Sequence, residues 1–292
     1  MEEQIATAQF IENEIKAFVR TSSLNRMPVS DNLIFDEPLV QFADGNDPIF
    51  LEYKAIIDPS HLTPREALAK AVYKRHEDIP ARISVISWIL PFTSKIRESN
   101  RKHTATPSRL WLNGYRHGKK SNNAVREHVV KLLTEMDYLA VAPVLQPYFK
   151  KREYSKEKGY YSNWSERHIA YAAGLGTFSL SDGFITERGI AHRCGSVVTS
   201  LVLPASPRTA RNPYSNCLFY ANGKCTVCIA RCPAGAITEN GHDKIKCQEY
   251  MSSKFHYLLE EYTRGEEACG LCQTKVPCEF RNPVKKLSMK TR

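Results

Sequence analysis

The first 216 residues of this 292-residue chain contain one cysteine, Cys194, and no apolar run in the chain approaches the length that crosses a bilayer. So thin a supply of cysteine rules out a disulfide scaffold spread through the fold, which suits small secreted domains in any case. The lack of a long apolar run excludes a helical membrane span. Also missing are a Rossmann or P-loop glycine fingerprint, a low-complexity tract and any internal repeat beyond the cysteine groups below. Acidic side chains are the scarcer charge, 31 against 41 lysines and arginines, for a net charge of +10. The start, Met1-Glu2-Glu3-Gln4, is acidic and leads into an amphipathic stretch, unlike a secretory or twin-arginine signal. With 292 residues, 42% of them hydrophobic and 25% charged, a soluble protein with room for two domains in the reducing cytoplasm is expected.

What is there is concentrated at the other end. Cys217, Cys225, Cys228 and Cys232, the last followed by Pro233, form one group; Cys247, Cys269, Cys272 and Cys278 form a second. Eight thiolates are what two [4Fe–4S] clusters require, and Cys225-x2-Cys228-x3-Cys232-Pro233 is the bacterial ferredoxin run. A zinc ribbon built from Cys225, Cys228, Cys269 and Cys272 would leave four cysteines without a task and would not explain Pro233. Two spacings depart from the ferredoxin pattern. Asn222 stands where the run normally begins, so Cys217 must return across an inserted loop. Cys278 lies six residues after Cys272 and is followed by Glu279 rather than proline. These spacings also admit a cluster held by three cysteines.

The rest of the chain alternates helical and extended patterns. Residues 1–19 read as a helix with Ile11, Ile15 and Phe18 on one face, and 22–60 as irregular with extended pieces at 33–35 and 50–53. Thr63, Pro64 and Glu66 form a capping box that starts a helix running to about residue 77. Residues 82–90 and 138–145 read as strands, 121–136 as a helix, 165–173 as a short helix stopped by Gly174, and 184–186 and 196–203 as strands. These elements predict an α+β or α/β layered domain over residues 1–205 and a ferredoxin-like domain over 206–292, joined by the Pro- and Arg-rich stretch 204–213.

A ferredoxin fills only the second part, so the first has another task. The densest stretch runs from Trp164 to Ser196. Gly174, Gly176, Gly183 and Gly195, beside Ser179, Ser181, Asp182 and Ser196, suggest a cofactor-lined wall where backbone comes close to a ligand. Plain turn chemistry is the competing reading for each glycine.

Ala173-Gly174-Leu175-Gly176, the Gly195-Ser196 strand, the Cys-Pro ferredoxin run, an isolated cysteine and a second Cys269-Gly270-Leu271-Cys272 group together resemble epoxyqueuosine reductases and, more distantly, reductive dehalogenases. The resemblance covers about residues 138–283. It implies a nitroreductase-like domain that binds cobalamin, fed by two [4Fe–4S] clusters in a ferredoxin-like domain. By motif order, Cys217, Cys225, Cys228 and Cys278 would hold one cluster and Cys232, Cys247, Cys269 and Cys272 the other. The segment 174–183 with Gly195 and Ser196 would lie against the corrin. The chain would then be an oxidoreductase supplied by a low-potential donor, a ferredoxin or flavodoxin, and acting on an unidentified substrate.

Two departures bear on the substrate. The catalytic aspartate of those enzymes aligns here with Ala140 or with Tyr160, neither a carboxylate. Those enzymes also extend into helical repeats, whereas this chain stops at Arg292, so tRNA has thin support as a substrate. The basic clusters Lys150-Lys151-Arg152, Lys285-Lys286 and Lys290/Arg292 suit solvated surface, an acidic donor or an anionic cofactor as well as nucleic acid. Tyr160, Tyr161 and Tyr171 are the candidate proton donors, with Arg167 or His168 to position one of them. A non-catalytic electron carrier that docks a partner enzyme is the alternative.

Overall fold

In a computed structural model, residues 2–73, 75–155, 159–263 and 268–284 are described. Lys285, Lys286, Lys290 and Arg292 lie outside them. The chain opens with helix α1 (Glu2–Thr21), whose Glu2 and Glu3 face the positive end of its dipole and whose Arg20 faces the negative end. Ala8, Ile11, Ile15 and Val19 bury one stripe at helical spacing. Strand β1 (Leu39–Asp44) follows, then α2 (Ile49–Ile56) where an extended piece was expected. The correction has a local cause. The Asp47 side chain accepts from Ile49 N–H, and Phe50 and Tyr53 are buried three residues apart while Leu51 between them is exposed. That period belongs to a helix, not a strand.

Helix α3 (Pro64–Ala71) starts on the expected capping box: Thr63 N–H donates to Glu66 at 2.8 Å and Glu66 N–H donates to Thr63 Oγ1 at 3.3 Å. It stops earlier than residue 77, and Tyr73 takes a left-handed φ of 53°. Strand β2 (Ser84–Pro91) is buried along its whole length. After α4 (Ser94–Arg101) and the long α5 (Arg109–Glu135), β3 is only Ala140–Val141, because Pro143 has no N–H to continue the ladder and a 3-10 turn follows. Two hairpins, β4 (Glu153–Ser155) with β5 (Gly159–Tyr161) and β6 (Gly176–Phe178) with β7 (Phe184–Thr186), flank helix α6 (Glu166–Ala172). Strand β8 (His192–Thr199) completes the main sheet, whose order is β1-β2-β8-β3, antiparallel throughout.

The sheet has helices on both faces. Ile86, Trp88 and Leu90 of β2 pack with α1 and α5, while Val85 and Ile89 pack with α2, α3 and α6. Burial on both sides explains why β2 reads as a nearly continuous apolar run. The fold is therefore a mixed α/β architecture. The cysteine-bearing part adds α7 (Leu218–Asn222), α8 (Val227–Ala230), the small β9 (Ile237–Thr238) and β10 (Gly241–His242) pair, α9 (Lys244–Lys254) and α10 (His256–Thr263). Met251, Phe255, Leu258 and Leu259 pack on Leu112 of α5, and Leu180, Ile185 and Ile190 pack among Cys217, Ile237 and Val276. No helix among the described residues is long and apolar enough to cross a membrane.

Candidate functional site

The eight clustered cysteines sort into two neighbourhoods that do not follow chain order. Cys217, at the N-cap of α7, lines a small pocket with Cys225, Cys228 and Cys278. Burial pushes the Cys228 thiol up to about 11, with Cys217 and Cys225 adding to it, and burial with Cys217, Cys228 and Cys225 raises Cys278 further. The second neighbourhood surrounds Cys272, whose thiol is raised by burial first and then by Cys269, Cys247 and Cys232. Cys228 also acts on Cys272, so the two neighbourhoods adjoin. Among the described residues no three His, Cys, Asp or Glu side chains converge on a single metal ion. An iron–sulfur cluster makes a different demand, since each thiolate meets its own iron and the four must ring a space.

Backbone geometry supports this crowding at one glycine in particular. Gly270, between Cys269 and Leu271, has a φ of 63°, and a Cβ there would overlap the Trp111 indole. Trp111 is itself fixed, because its Nε1–H donates to Ala268 O at 2.8 Å. Gly270→Ala combines a left-handed L-residue with an overpacked ring and is expected to cost about 2–4 kcal/mol. Thermal unfolding checks this, and an unchanged midpoint would contradict the packing described.

A second, larger feature is a cavity of about 950 Å³. Tyr160 and Tyr161 of β5, Arg167, His168 and Tyr171 of α6, and Asp182 all line it, so the sequence-predicted catalytic candidates do meet. Tyr53, Tyr115, His242, Lys244 and Cys247 complete the part that matters here. Cys247 brings the second cysteine neighbourhood to the cavity wall. The cation over the Tyr160 ring is Arg152, at 4.2 Å, and not Arg167 or His168 as expected. Arg167 instead donates to the Asp182 carbonyl. The Asp182 carboxylate lies 3.3 Å from His242 Nδ1. Burial works to raise this carboxyl, but His242, Lys244 and Arg167 outweigh burial and hold it below its ordinary value.

The remaining predicted residues fall elsewhere. Ser179 and Ser181 bond to each other at 3.0 Å and line the small cysteine pocket, not the cavity. Gly174, Gly176, Gly183, Gly195 and Ser196 line neither. Gly195 makes room for the Trp88 indole across the β2–β8 ladder. Ser196 accepts from Trp164 Nε1–H and donates to Glu166, which pairs with Arg126 at 2.7 Å. These are packing and hydrogen-bonding duties. Cys194 is held as a neutral thiol, pushed up to about 12 by burial. His242 and Lys244 were missed; their nearness to Cys247 in sequence was the available signal. Tyr53 and Tyr115 come from distant segments and left none.

Near this region His61 is buried and His168 and His192 are half-buried, and all three imidazoles are shifted toward the neutral form. Burial lowers His61 and His192 to about 4 and His168 to about 3; Lys54 assists at His61, and Arg167 at His168 and His192. Ser165 Oγ lies 2.8 Å from His168 Nδ1, and Nδ1 of His61 has no hydrogen-bond partner. In the unfolded chain each imidazole takes its proton near pH 6.5. Between that pH and the folded values the unfolded state binds more protons, so stability is full above pH 6.5 and falls as the pH drops. For His61 alone the loss by pH 4 is about 3 kcal/mol, at about 1.4 kcal/mol per pH unit. Unfolding midpoints at pH 7 and pH 4.5 test this; equal values would contradict it.

No family model matches the chain. Over 119 residues it is 30% identical to the epoxyqueuosine reductase of Bacillus anthracis. The chain is similar to epoxyqueuosine reductase. The matched stretch covers 39% of this chain and 29% of that relative's length. Two solved epoxyqueuosine reductase structures, one of them from Bacillus subtilis, each align over 93% of this chain and 66% of their own, at 16% identity and a TM-score of 0.48. A third, determined with an epoxyqueuosine-modified tRNA stem loop, aligns with a TM-score of 0.46 at 15% identity. The sequence match to the Bacillus anthracis protein agrees with the resemblance stated from the motifs.

Proposed function

We propose that the protein is an iron–sulfur reductase whose two [4Fe–4S] clusters deliver single electrons to a corrinoid in the 950 Å³ cavity. In this reading residues 1–205 form a nitroreductase-like cofactor domain and 206–292 a ferredoxin-like domain. Cys217, Cys225, Cys228 and Cys278 hold one cluster; Cys232, Cys247, Cys269 and Cys272 hold the other. The observation that carries the reading is Cys247, which belongs to the second quartet and also lines the cavity.

The donor sets fit these groups. Crowded buried thiols are costly as they stand, and metal binding converts them to compensated thiolates. The cavity stands at the upper end of ligand pockets, about 300–1,000 Å³. Tyrosine rings for a flat macrocycle and the cations Arg167 and Lys244 for polar groups at its edge suit a corrinoid. A bound corrinoid supplies a cobalt centre that takes up single electrons and is strongly nucleophilic when reduced. The chain's own residues bind, orient and manage protons. Arg152 stacks over the Tyr160 ring and holds it in the wall, and Tyr161 lies beside it as the second candidate proton donor. Arg167 fixes the Asp182 turn, which sets the carboxylate against His242.

A large cavity beside a cluster ligand is what a plain electron carrier does not need, which favours an enzyme over the carrier reading. Titrating the iron-loaded protein with hydroxocobalamin tests the proposal. One cobalt per chain in the wild type, with weaker uptake in Arg167→Ala, is the expected result. No uptake by a protein that holds both clusters would contradict the corrinoid assignment.

A further inference from the structure

The pocket lined by Cys217, Cys225, Cys228 and Cys278, none of which lines the cavity, carries a patch charged in one sense. Between Glu187 and Glu239 the chain has no Asp or Glu, while Arg188, Arg193, Arg208, Arg211, Lys224 and Arg231 fall in that stretch. Two other segments form this pocket: 270–284 has one carboxylate, Glu279, which is buried and paired with Arg97 and Arg101, and 179–185 has one, Asp182, which lies against His242. The exposed charges on 217–228 and 270–284 are therefore cationic. Lys224 precedes Cys225, Lys275 and Arg281 bracket Cys278, and all three are exposed. Two apolar side chains stand among them, Val227 at 37% and Phe280 at 44% exposure. The guanidiniums of Arg281, Arg97 and Arg101 lie 5.1, 5.2 and 5.9 Å from the Phe280 ring centre. Aromatic and arginine side chains are enriched at interfaces, and a patch of one sign steers an oppositely charged partner onto it.

We propose that Lys224, Val227, Lys275, Phe280 and Arg281, over the Cys217/Cys225/Cys228/Cys278 pocket, form the docking surface for a small acidic one-electron carrier. This rests on the reading that the two quartets hold clusters. It also gives the electron path a direction: in at the quartet that has no cysteine on the cavity wall, across from Cys228 to the neighbouring Cys272, and out at Cys247 on that wall. The docked step moves one electron from the carrier, which is oxidised, to the cluster, which is reduced; no bond forms and no proton moves.

The test uses the iron-loaded full chain and a reduced, acidic flavodoxin as the probe. Wild type, the double variant Lys275→Glu/Arg281→Glu and the control Lys131→Glu, whose charge lies on the exposed side of α5, are matched for iron. Cluster reduction is then followed by stopped flow across a salt series. At low salt the double variant is expected to slow about tenfold or more, while the control changes little. The salt dependence of its rate should flatten as well. Reduction by dithionite, which needs no docking, should stay at the wild-type rate. Equal flavodoxin rates in the double variant and the control would overturn the docking surface. A wild type that takes up no iron would overturn the cluster reading, and the docking surface with it.

Discussion

Serine at Cys228 is expected to halve the iron bound by the protein, from about eight atoms to about four, and Cys272→Ser to remove the other half. Pairs of substitutions distinguish the crossed grouping from the grouping that sequence order suggests. Cys228 and Cys278 line one pocket although 50 positions separate them, whereas Cys232, four positions after Cys228, acts on Cys269 and Cys272. The double variant Cys228→Ser/Cys278→Ser should therefore keep about four irons, because both changes fall on one cluster. Cys228→Ser/Cys232→Ser should keep almost none. Iron and acid-labile sulfide per chain decide between them. The reverse pattern would show that each cluster is built from consecutive cysteines.

Glu279→Gln is expected to destabilise the fold by about 3–5 kcal/mol, the usual cost of removing one partner from a buried ion pair. The Glu279 carboxylate accepts from Arg97 at 3.0 Å, from Arg101 at 2.8 and 3.0 Å, and from Lys275 N–H at 2.7 Å. Its backbone carbonyl accepts from Ala191 N–H, and Cys278 O accepts from Ile190 N–H at 2.8 Å. One residue thus joins α4, the start of β8 and the loop bearing Cys278. The loss should appear as a lower unfolding midpoint, with Glu98→Gln, on the exposed side of α4, close to wild type. A Glu279→Gln protein as stable as wild type would contradict the anchoring role.

That anchor also explains a departure visible in the sequence. A ferredoxin run ends its last cysteine on proline, and here glutamate follows Cys278. The residue swaps a rigid turn for an ionic tether to the neighbouring helix, and only the tertiary contacts of Arg97 and Arg101 reveal it. Elements with strong local signals were legible: the Thr63 capping box, the stripe of α1 and the apolar β2. The helix at Ile49–Ile56 was not, because its two buried aromatics are too few to show a period. Within the site, Arg167 and Asp182 stood out in the dense stretch from Trp164 to Ser196, Tyr160 and Tyr161 stood out beside the position of the family's aspartate, and the cavity brings the four together. The glycines beside them were read as a ligand wall, but small residues also serve where a strand must admit an indole. Gly195 against Trp88 is such a place, and a single sequence cannot separate the two uses.

The most direct test of the central claim is anaerobic reconstitution of the wild-type chain with iron and sulfide, read by metal and sulfide per chain and by electron paramagnetic resonance after reduction. Two clusters predict about eight irons and eight sulfides, with the signal of two neighbouring reduced clusters that interact. A protein that takes up zinc in preference and holds no labile sulfide would contradict the account.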